Sequence, residues 1–312
     1  MRDVVTIDCL YEGPEHAASY LLVENGEAVF IENNTSHAVP ILLRELAARG
    51  LAPEQVRYII ITHLHFDHAG GTSALAAQCP NATVLCHPRG VRHLVDPSRL
   101  IASATLVYGE EAFRRMYGVV TPIDAGRVRG MEDGEQVPFG TRLLTFLQTP
   151  GHARHHVCIH DSATNSVFTG DAFGVEFSAR RQSRRPFLVA SSAPTEFDPG
   201  EARASARRIL DLRPERVYLT HYGALEDVAT GGSVLLECLD RLEAIIGDAS
   251  HRNLDPTALE DYCADRIAVA IRAQAEACGA ELTTEEWAQI GVHFRINAQG
   301  LALYIRKSAG GS

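Results

Sequence analysis

Apolar positions early in the chain fall into two short runs, residues 20–23 and 28–31, with Asn25-Gly26 between them. Both turn residues adopt left-handed backbone conformations at little cost, so the pattern predicts an antiparallel β-hairpin. The period then changes. Val39, Leu42, Leu43 and Leu46 recur at the spacing of one helix face, Pro40 sits in the first turn and Gly50 follows the last, which predicts a helix packed by one side on a sheet. Tyr58, Ile59, Ile60 and Ile61 form an unbroken apolar run, as in a strand covered on both faces, and lead straight into Thr62-His63. Farther on, residues 72–78 and 99–117 have helical spacing, while 83–86, 143–147, 157–160 and 167–169 read as strands, the last two joined by the polar stretch 161–165. A helix is expected over 199–212 and a strand over 216–220, ending on His221.

After about residue 226 the strands stop. Residues 226–290 are rich in Ala, Leu and Glu at helical spacing, and Thr283 with Glu286 has the form of a capping box. Two or three helices are expected there, and the stretch 301–305 fits a strand or a last helical turn equally. The change of character divides the chain into 1–225, mixed α/β, and 226–312, a mainly helical extension. Amphipathic helices leave apolar faces that need cover, which the first part or a second chain, in a homodimer, would supply.

Composition narrows the class without naming a chemistry. With 46% hydrophobic and 22% charged residues among 312, the chain has the make-up of a folded globular protein. A formal net charge of -10 speaks against a nucleic-acid surface. No run reaches the roughly 18 apolar residues of a membrane span, and the first residues lack the basic-then-apolar layout of a secretory signal. A cytoplasmic protein with neither membrane nor nucleic acid as partner is expected. The seven cysteines include no C-x-x-C pair, so they are expected to be reduced, buried thiols.

The histidines make the sequence specific. His63, His65, Asp67 and His68 place three imidazoles and a carboxylate within six positions, immediately after the buried strand. Alternate residues of an extended segment point the same way, so His63 and His65 are placed to grip one ion together. A turn after them would redirect Asp67 and His68 to a neighbouring one, and Ala69-Gly70-Gly71 allows that close turn. His152 after Thr149-Pro150-Gly151, Asp171 after Thr169-Gly170 and His221 after Thr220 each follow an apolar stretch, and strand ends of this kind can converge on one edge. Imidazole and carboxylate donors without a thiolate suit Zn2+ first, then Fe or Mn. His155 and His156 continue the run from His152 but lead into a strand, which assigns them to packing or to supporting contacts. Tyr222, beside His221, is a candidate donor to an oxyanion, set against plain ring packing. Arg180, Arg181, Arg184 and Arg185 form the basic concentration of an acidic chain. They are candidates to attract a carboxylate, phosphate or coenzyme A group, set against a solvated loop.

Taken in order, THLHFDHAGG (62–71), TPGH (149–152), TGDA (169–172) and THYG (220–223) resemble the signature elements of the metallo-β-lactamase superfamily, with most likeness to its glyoxalase II and N-acyl-homoserine lactonase branches. The resemblance covers about the first 225 residues. It implies an α/β fold, a four-layer αβ/βα sandwich with the site on one edge of two sheets, followed here by the C-terminal helical extension. It further implies that His63, His65 and His152 hold one divalent ion, that Asp67, His68 and His221 hold a second, and that Asp171 bridges the two. Two cations about 3.5 to 4 Å apart share a water, lower its pKa toward neutrality and polarise a carbonyl. The implied activity is hydrolysis of an ester, thioester or lactone in a small anionic substrate by a bridging hydroxide, with Asp67 placed to orient it or shuttle its proton. Lactonases of this kind carry a Tyr three residues after the bridging Asp, where this chain has Gly174, a departure that counts against a lactone. Glyoxalase II enzymes place a glutathione-gripping helical domain where this chain has its extension, without a residue-level match. Two other classes remain: a mono-iron persulfide dioxygenase, against which the intact seven-residue set argues, and a metal-binding sensor or scaffold without catalysis.

Overall fold

The computed structural model describes residues 4–176, 183–192 and 195–310 and groups the chain into two compact units. The first comprises 1–148, 155–170 and 217–224; the second comprises 149–154, 171–216 and 225–312. The division differs from a single cut at 225, because residues 149–154 and 171–216 pack with the C-terminal helices. His63, His65, Asp67, His68 and His221 therefore belong to the first unit, and His152 and Asp171 to the second.

In the first unit, β1 (Val4–Asp8), β2 (Ala18–Glu24), β3 (Glu27–Ile31), β4 (Val56–Ile60), β5 (Thr83–Cys86) and β6 (Val128–Gly130) form a sheet in that order. β1 to β3 pair antiparallel and β3 to β6 parallel. The β2–β3 hairpin turns at Asn25 and Gly26, with φ of 53° and 78°, as the sequence predicts. The connections hold α1 (Val39–Ala48), α2 (Phe66–Ala69), α3 (Thr72–Gln78), α4 (Val91–Val95), α5 (Ser98–Tyr108) and α6 (Glu110–Tyr117).

Strand periodicity splits this sheet's side chains between two cores. Leu21, Phe30, Ile59 and Val84 face one way and bury Val39, Leu42 and Leu46 of α1 with Leu75 of α3. Tyr20, Leu22, Val29, Ile31, Ile60 and Leu85 face the other way and meet Phe139, Leu144, Phe146, Ile159 and Phe168 of a second sheet. That sheet runs β14 (Gly223–Leu225), β13 (Arg216–Leu219), β10 (Ser166–Gly170), β9 (Val157–Asp161), β8 (Arg142–Gln148) and β7 (Gln136–Phe139). Each large apolar side chain fully buried there contributes about 1.5 to 3 kcal/mol.

The second unit holds the short antiparallel pair β11 (Val175–Glu176) and β12 (Leu188–Val189), then α7 (Pro199–Asp211), α8 (Val228–Ser250), α9 (Pro256–Cys278) and α10 (Thr284–Gly310). The capping box forms as expected: Glu286 N donates to Thr283 Oγ1 at 3.2 Å and Thr283 N to Glu286 Oε2 at 2.8 Å. Residues 301–305 are helical. Leu301, Ala302 and Ile305 continue the buried face of Ile290, Phe294 and Ala298, the spacing of one helix side. α8 and α9 bury Leu235, Leu239, Leu242, Ile267 and Ile271. The three helices pack on one another, so much of the apolar surface expected to need a partner is covered within the unit. Among the described residues no helix is long and apolar enough to cross a membrane, and all seven cysteines are free and buried.

Candidate metal centre

β4 lies between β3 and β5, and the residues after its carboxyl end stay anchored. Thr62 N donates to Glu32 Oε1 at 3.0 Å, and Val157 N donates to Thr62 O at 2.8 Å. His65 is still extended, with φ -64° and ψ 145°, where it heads α2. The alternation does what the sequence predicts: His63 Nε2 lies 2.9 Å from His65 Nδ1. α2 is a single turn that carries Asp67 and His68, and the loop after β3 holds it. Asn34 Nδ2 donates to Asp67 O at 2.8 Å and Asn33 N to His68 O at 3.1 Å. Gly71 is needed for this approach rather than for an unusual φ, since a Cβ there would lie 2.7 Å from both Asn33 O and Thr35 O.

His221 arrives from the end of β13, where Ala18 N bonds Thr220 O at 2.8 Å. Three donor atoms then converge. Asp67 Oδ2 is 3.9 Å from His68 Nε2 and 3.5 Å from His221 Nε2, and the two nitrogens are 3.3 Å apart. The far side of each ring determines what these atoms present. His221 Nδ1 is 2.8 Å from His16 O, which only accepts, so Nδ1 carries the proton and Nε2 offers a lone pair. His68 Nδ1 lies 3.3 Å from Glu32 Oε2, near enough for charge pairing but outside hydrogen-bond geometry. Two ring nitrogens and a carboxylate oxygen thus meet where both rings are buried, a donor set that a cation would hold together. Ligand histidines braced by an acceptor at the opposite nitrogen are the usual support of a metal site. The nitrogen and oxygen donors fit a divalent ion such as Zn2+.

In the second unit, Gly151 turns at φ 124°, and a Cβ there would lie 2.2 Å from Ala202 N. The next residue, His152, points Nδ1 at Ser191 O, 3.2 Å away, and Nε2 at Asp171 Oδ2, 3.5 Å away. The carbonyl again places a proton on Nδ1, and Nε2 faces the carboxylate. Asp171 follows β10 and opens a turn closed by Gly174 N to Asp171 O at 3.1 Å. Gly174 has φ 85°, and a Cβ there would lie 3.0 Å from Val189 O. Backbone geometry therefore requires glycine where the lactonase pattern has Tyr.

His155 and His156 take supporting positions in the first unit. Leu64 N donates to His155 Nδ1 at 3.4 Å, and the fully buried His156 ring lies 5.0 Å from that of His63. Tyr222 is buried in the core between the two sheets. Of the arginine run, Arg180 and Arg181 lie outside the described residues. Arg185 pairs with Glu237 of α8 at 3.1 Å, and its N–H bonds Cys278 O at 3.2 Å. Arg184 lies against Gly279, whose Cβ position would be 2.8 Å from its Nε.

Sequence reasoning passed over the loop between β1 and β2 and the end of α6. Leu10, Glu12 and Glu15 adopt φ of 54° to 55°, part of the loop that ends at His16, whose carbonyl meets His221. Burial first, and Asp67 second, push the Tyr11 and Tyr117 hydroxyls well above the usual phenol range, so both stay protonated. The same two causes raise the Glu12 carboxyl, with His221 pulling the other way. No spacing signal joins these residues to Asp67, because they come from separate segments.

A family model of the metallo-β-lactamase superfamily matches residues 13–221. The chain is 28% identical over 216 residues to the metallo-beta-lactamase fold-containing protein ST1585 of Sulfurisphaera tokodaii, covering 68% of this chain and 75% of that one. The solved structure of ST1585 superposes with a TM-score of 0.62 at 23% identity, over 88% of this chain and 99% of that one. Acyl-coenzyme A thioesterase MBLAC2 of Bos taurus is 29% identical over 135 residues, 42% of this chain and 46% of that one. A hydroxyacylglutathione hydrolase of Stenotrophomonas maltophilia is 30% identical over 152 residues, 49% of this chain and 44% of that one. The matched stretch spans less than half the length of these last two relatives. Since the family model runs from residue 13 to His221, well over half of the chain, and includes every candidate ligand from His63 to His221, the chain belongs to the metallo-β-lactamase superfamily.

Proposed function

We propose that the protein is a dinuclear metal-dependent hydrolase of ester-type carbonyls, with a thioester as the preferred substrate. The observation that carries this reading is the convergence of Asp67 Oδ2, His68 Nε2 and His221 Nε2 within 3.3 to 3.9 Å, with the His221 imidazole hydrogen-bonded on its far side and that of His68 beside Glu32. His63 and His65 form the adjacent donor pair, and the motif order assigns His152 and Asp171 to the same centre, Asp171 as the bridge. When bound, two divalent ions would supply a nucleophilic water at neutral pH and polarise the acyl carbonyl. The chain's own groups position and protonate. Asp67 has the one partly exposed side chain of its triad, at 29%, and is placed to take up a proton and return it to the leaving group. Tyr11 and Tyr117, hydrogen-bonded to each other, stay protonated through burial and the influence of the Asp67 charge.

Two relatives guide the substrate class, because their names describe hydrolysis of acyl groups carried by coenzyme A and by glutathione. A thiolate is also a good leaving group, which suits a centre without an assigned strong acid. The glycine required at 174 supports a thioester over a lactone. An anionic carrier would be drawn by the arginine run, chiefly Arg180, Arg181 and Arg184, since Arg185 is engaged with Glu237.

The test is elemental analysis of metal-saturated protein, together with initial rates on acyl-coenzyme A, acylglutathione, lactone, phosphodiester and β-lactam substrates. About two ions per chain and fastest turnover of a thioester are expected. One ion per chain with oxygen uptake on a persulfide substrate would replace this reading with the dioxygenase. Two ions without turnover of any substrate would leave a sensor or scaffold.

A further inference from the structure

Asn297 sits near the middle of α10, far along the chain from every residue of the metal motif, and its amide is almost completely buried. Its Oδ1 accepts from Ser192 N at 3.0 Å, its Nδ2 donates to Ala190 O at 3.4 Å, and its backbone O accepts from Ser192 Oγ at 3.2 Å. Asn297 thus brackets Ser191 from both sides, and Ala190 N is held in turn by Cys238 Sγ of α8 at 3.4 Å. The bracketed residue supplies the carbonyl that meets His152 Nδ1 at 3.2 Å. A carbonyl whose own peptide is anchored at Ser192 N and whose preceding peptide is anchored at Ala190 O has little freedom to rotate, so the imidazole it holds keeps one tautomer and one plane.

We infer that Asn297 is a positioning residue for His152. Through Ser191 it keeps the proton on Nδ1 and holds Nε2 toward Asp171, so the C-terminal helices help set the ligand geometry as well as covering apolar surface. This inference rests on the reading of His152 as a ligand. An ordinary structural amide would stabilise α10 without affecting the imidazole, and Gln274 provides that comparison. It is also buried, on α9, and bonds the same segment at Leu188 O, with its Oε1 held by Arg241 at 2.9 Å, and its hydrogen bonding reaches residue 190 only indirectly, through Cys238.

The experiment uses the full chain. Imidazole nitrogen NMR of metal-free protein, with the His152 signal assigned by its loss in His152→Asn, reads the tautomer. Zn2+ titration against a chromophoric chelator reads affinity, and thermal unfolding reads stability. In the parent protein His152 should be in the Nδ1-protonated form. Asn297→Ala should mix the tautomers and weaken the affected ion by about tenfold or more, within the range for lost supporting contacts to a ligand. Gln274→Ala should lower the unfolding temperature comparably while leaving tautomer and affinity within twofold of the parent. Asn297→Asp, which keeps the acceptor for Ser192 N, should recover part of the affinity. An unchanged tautomer and affinity in Asn297→Ala would overturn the inference, as would equal changes in Gln274→Ala. If His152→Asn itself leaves Zn2+ affinity unchanged, the ligand reading fails, while the tautomer comparison still decides whether Asn297 orients the ring.

Discussion

Asp171 and the seven cysteines mark two extremes of what a buried polar side chain can be. Asp171 Oδ2 faces His152 Nε2 at 3.5 Å, and a cation between them would satisfy both. As the proposed bridge it serves both ions. Asp171→Ala should therefore lower occupancy at both sites, and elemental analysis showing two ions retained in that variant would remove it from the bridge. The thiols lie at the inert end. Burial pushes Cys9, Cys79 and Cys86 up to about 12 and Cys263 to about 11, so at pH 8 each is thiolate to the order of one part in a thousand or less. The native protein should take up almost no iodoacetamide at pH 8, while the protein unfolded in guanidinium should be alkylated at all seven positions. Rapid labelling of the folded chain, read by mass spectrometry, would contradict the buried state. The sequence suggested reduced, buried thiols from the lack of paired spacing, but the depth of each came only from packing.

At the scale of elements, the best-read segments were those whose period is sustained. α1 and the β2–β3 hairpin carry their own signals, and β4 announces itself as a run of apolar residues ending on the motif. β7 has no signal of this kind and carries Pro138, but it is the last strand of its sheet, where a missing N–H is tolerated. The C-terminal helices were legible as helices, but their covering was not. They pack together and hold residues 186–192 through Cys238, Gln274, Cys278 and Asn297. A chain ending at 225 should consequently lose solubility or most of its metal affinity. A soluble, metal-replete and active truncation, judged by sedimentation and turnover, would show that the helices are dispensable. The arginine run also looks different in place. Because Arg185 is tied to Glu237, the informative variant replaces Arg180, Arg181 and Arg184 by Ala and keeps Arg185. It should raise KM for an acyl-coenzyme A severalfold and flatten its salt dependence with kcat nearly unchanged, as expected for contacts made equally in ground and transition states. Unchanged KM across a salt series would return the run to a solvated loop.

For the molecule as a whole, converging donor atoms imply that a bound metal would stabilise the fold. Binding at 100 to 1,000 times Kd adds about 2.7 to 4.1 kcal/mol per site, so chelation should lower the unfolding temperature by several degrees and Zn2+ should restore it. A melting curve indifferent to chelator, in protein shown by elemental analysis to have lost its metal, would dissociate the cluster from stability. What the sequence determined by itself was the donor chemistry, the superfamily and the α/β class, because motif spacing and hydrophobic period are properties of neighbouring residues. What only the tertiary structure decided was how those donors are held. His16 O and His221 Nδ1 are 205 residues apart in the chain and 2.8 Å apart in space, and that contact sets the orientation of the His221 ring. The grouping of 149–154 and 171–216 with the C-terminal helices, the bracketing of Ser191 by Asn297 and the engagement of Arg185 have the same origin. Each joins segments distant in the chain, and no local pattern encodes a partner that only folding brings within reach.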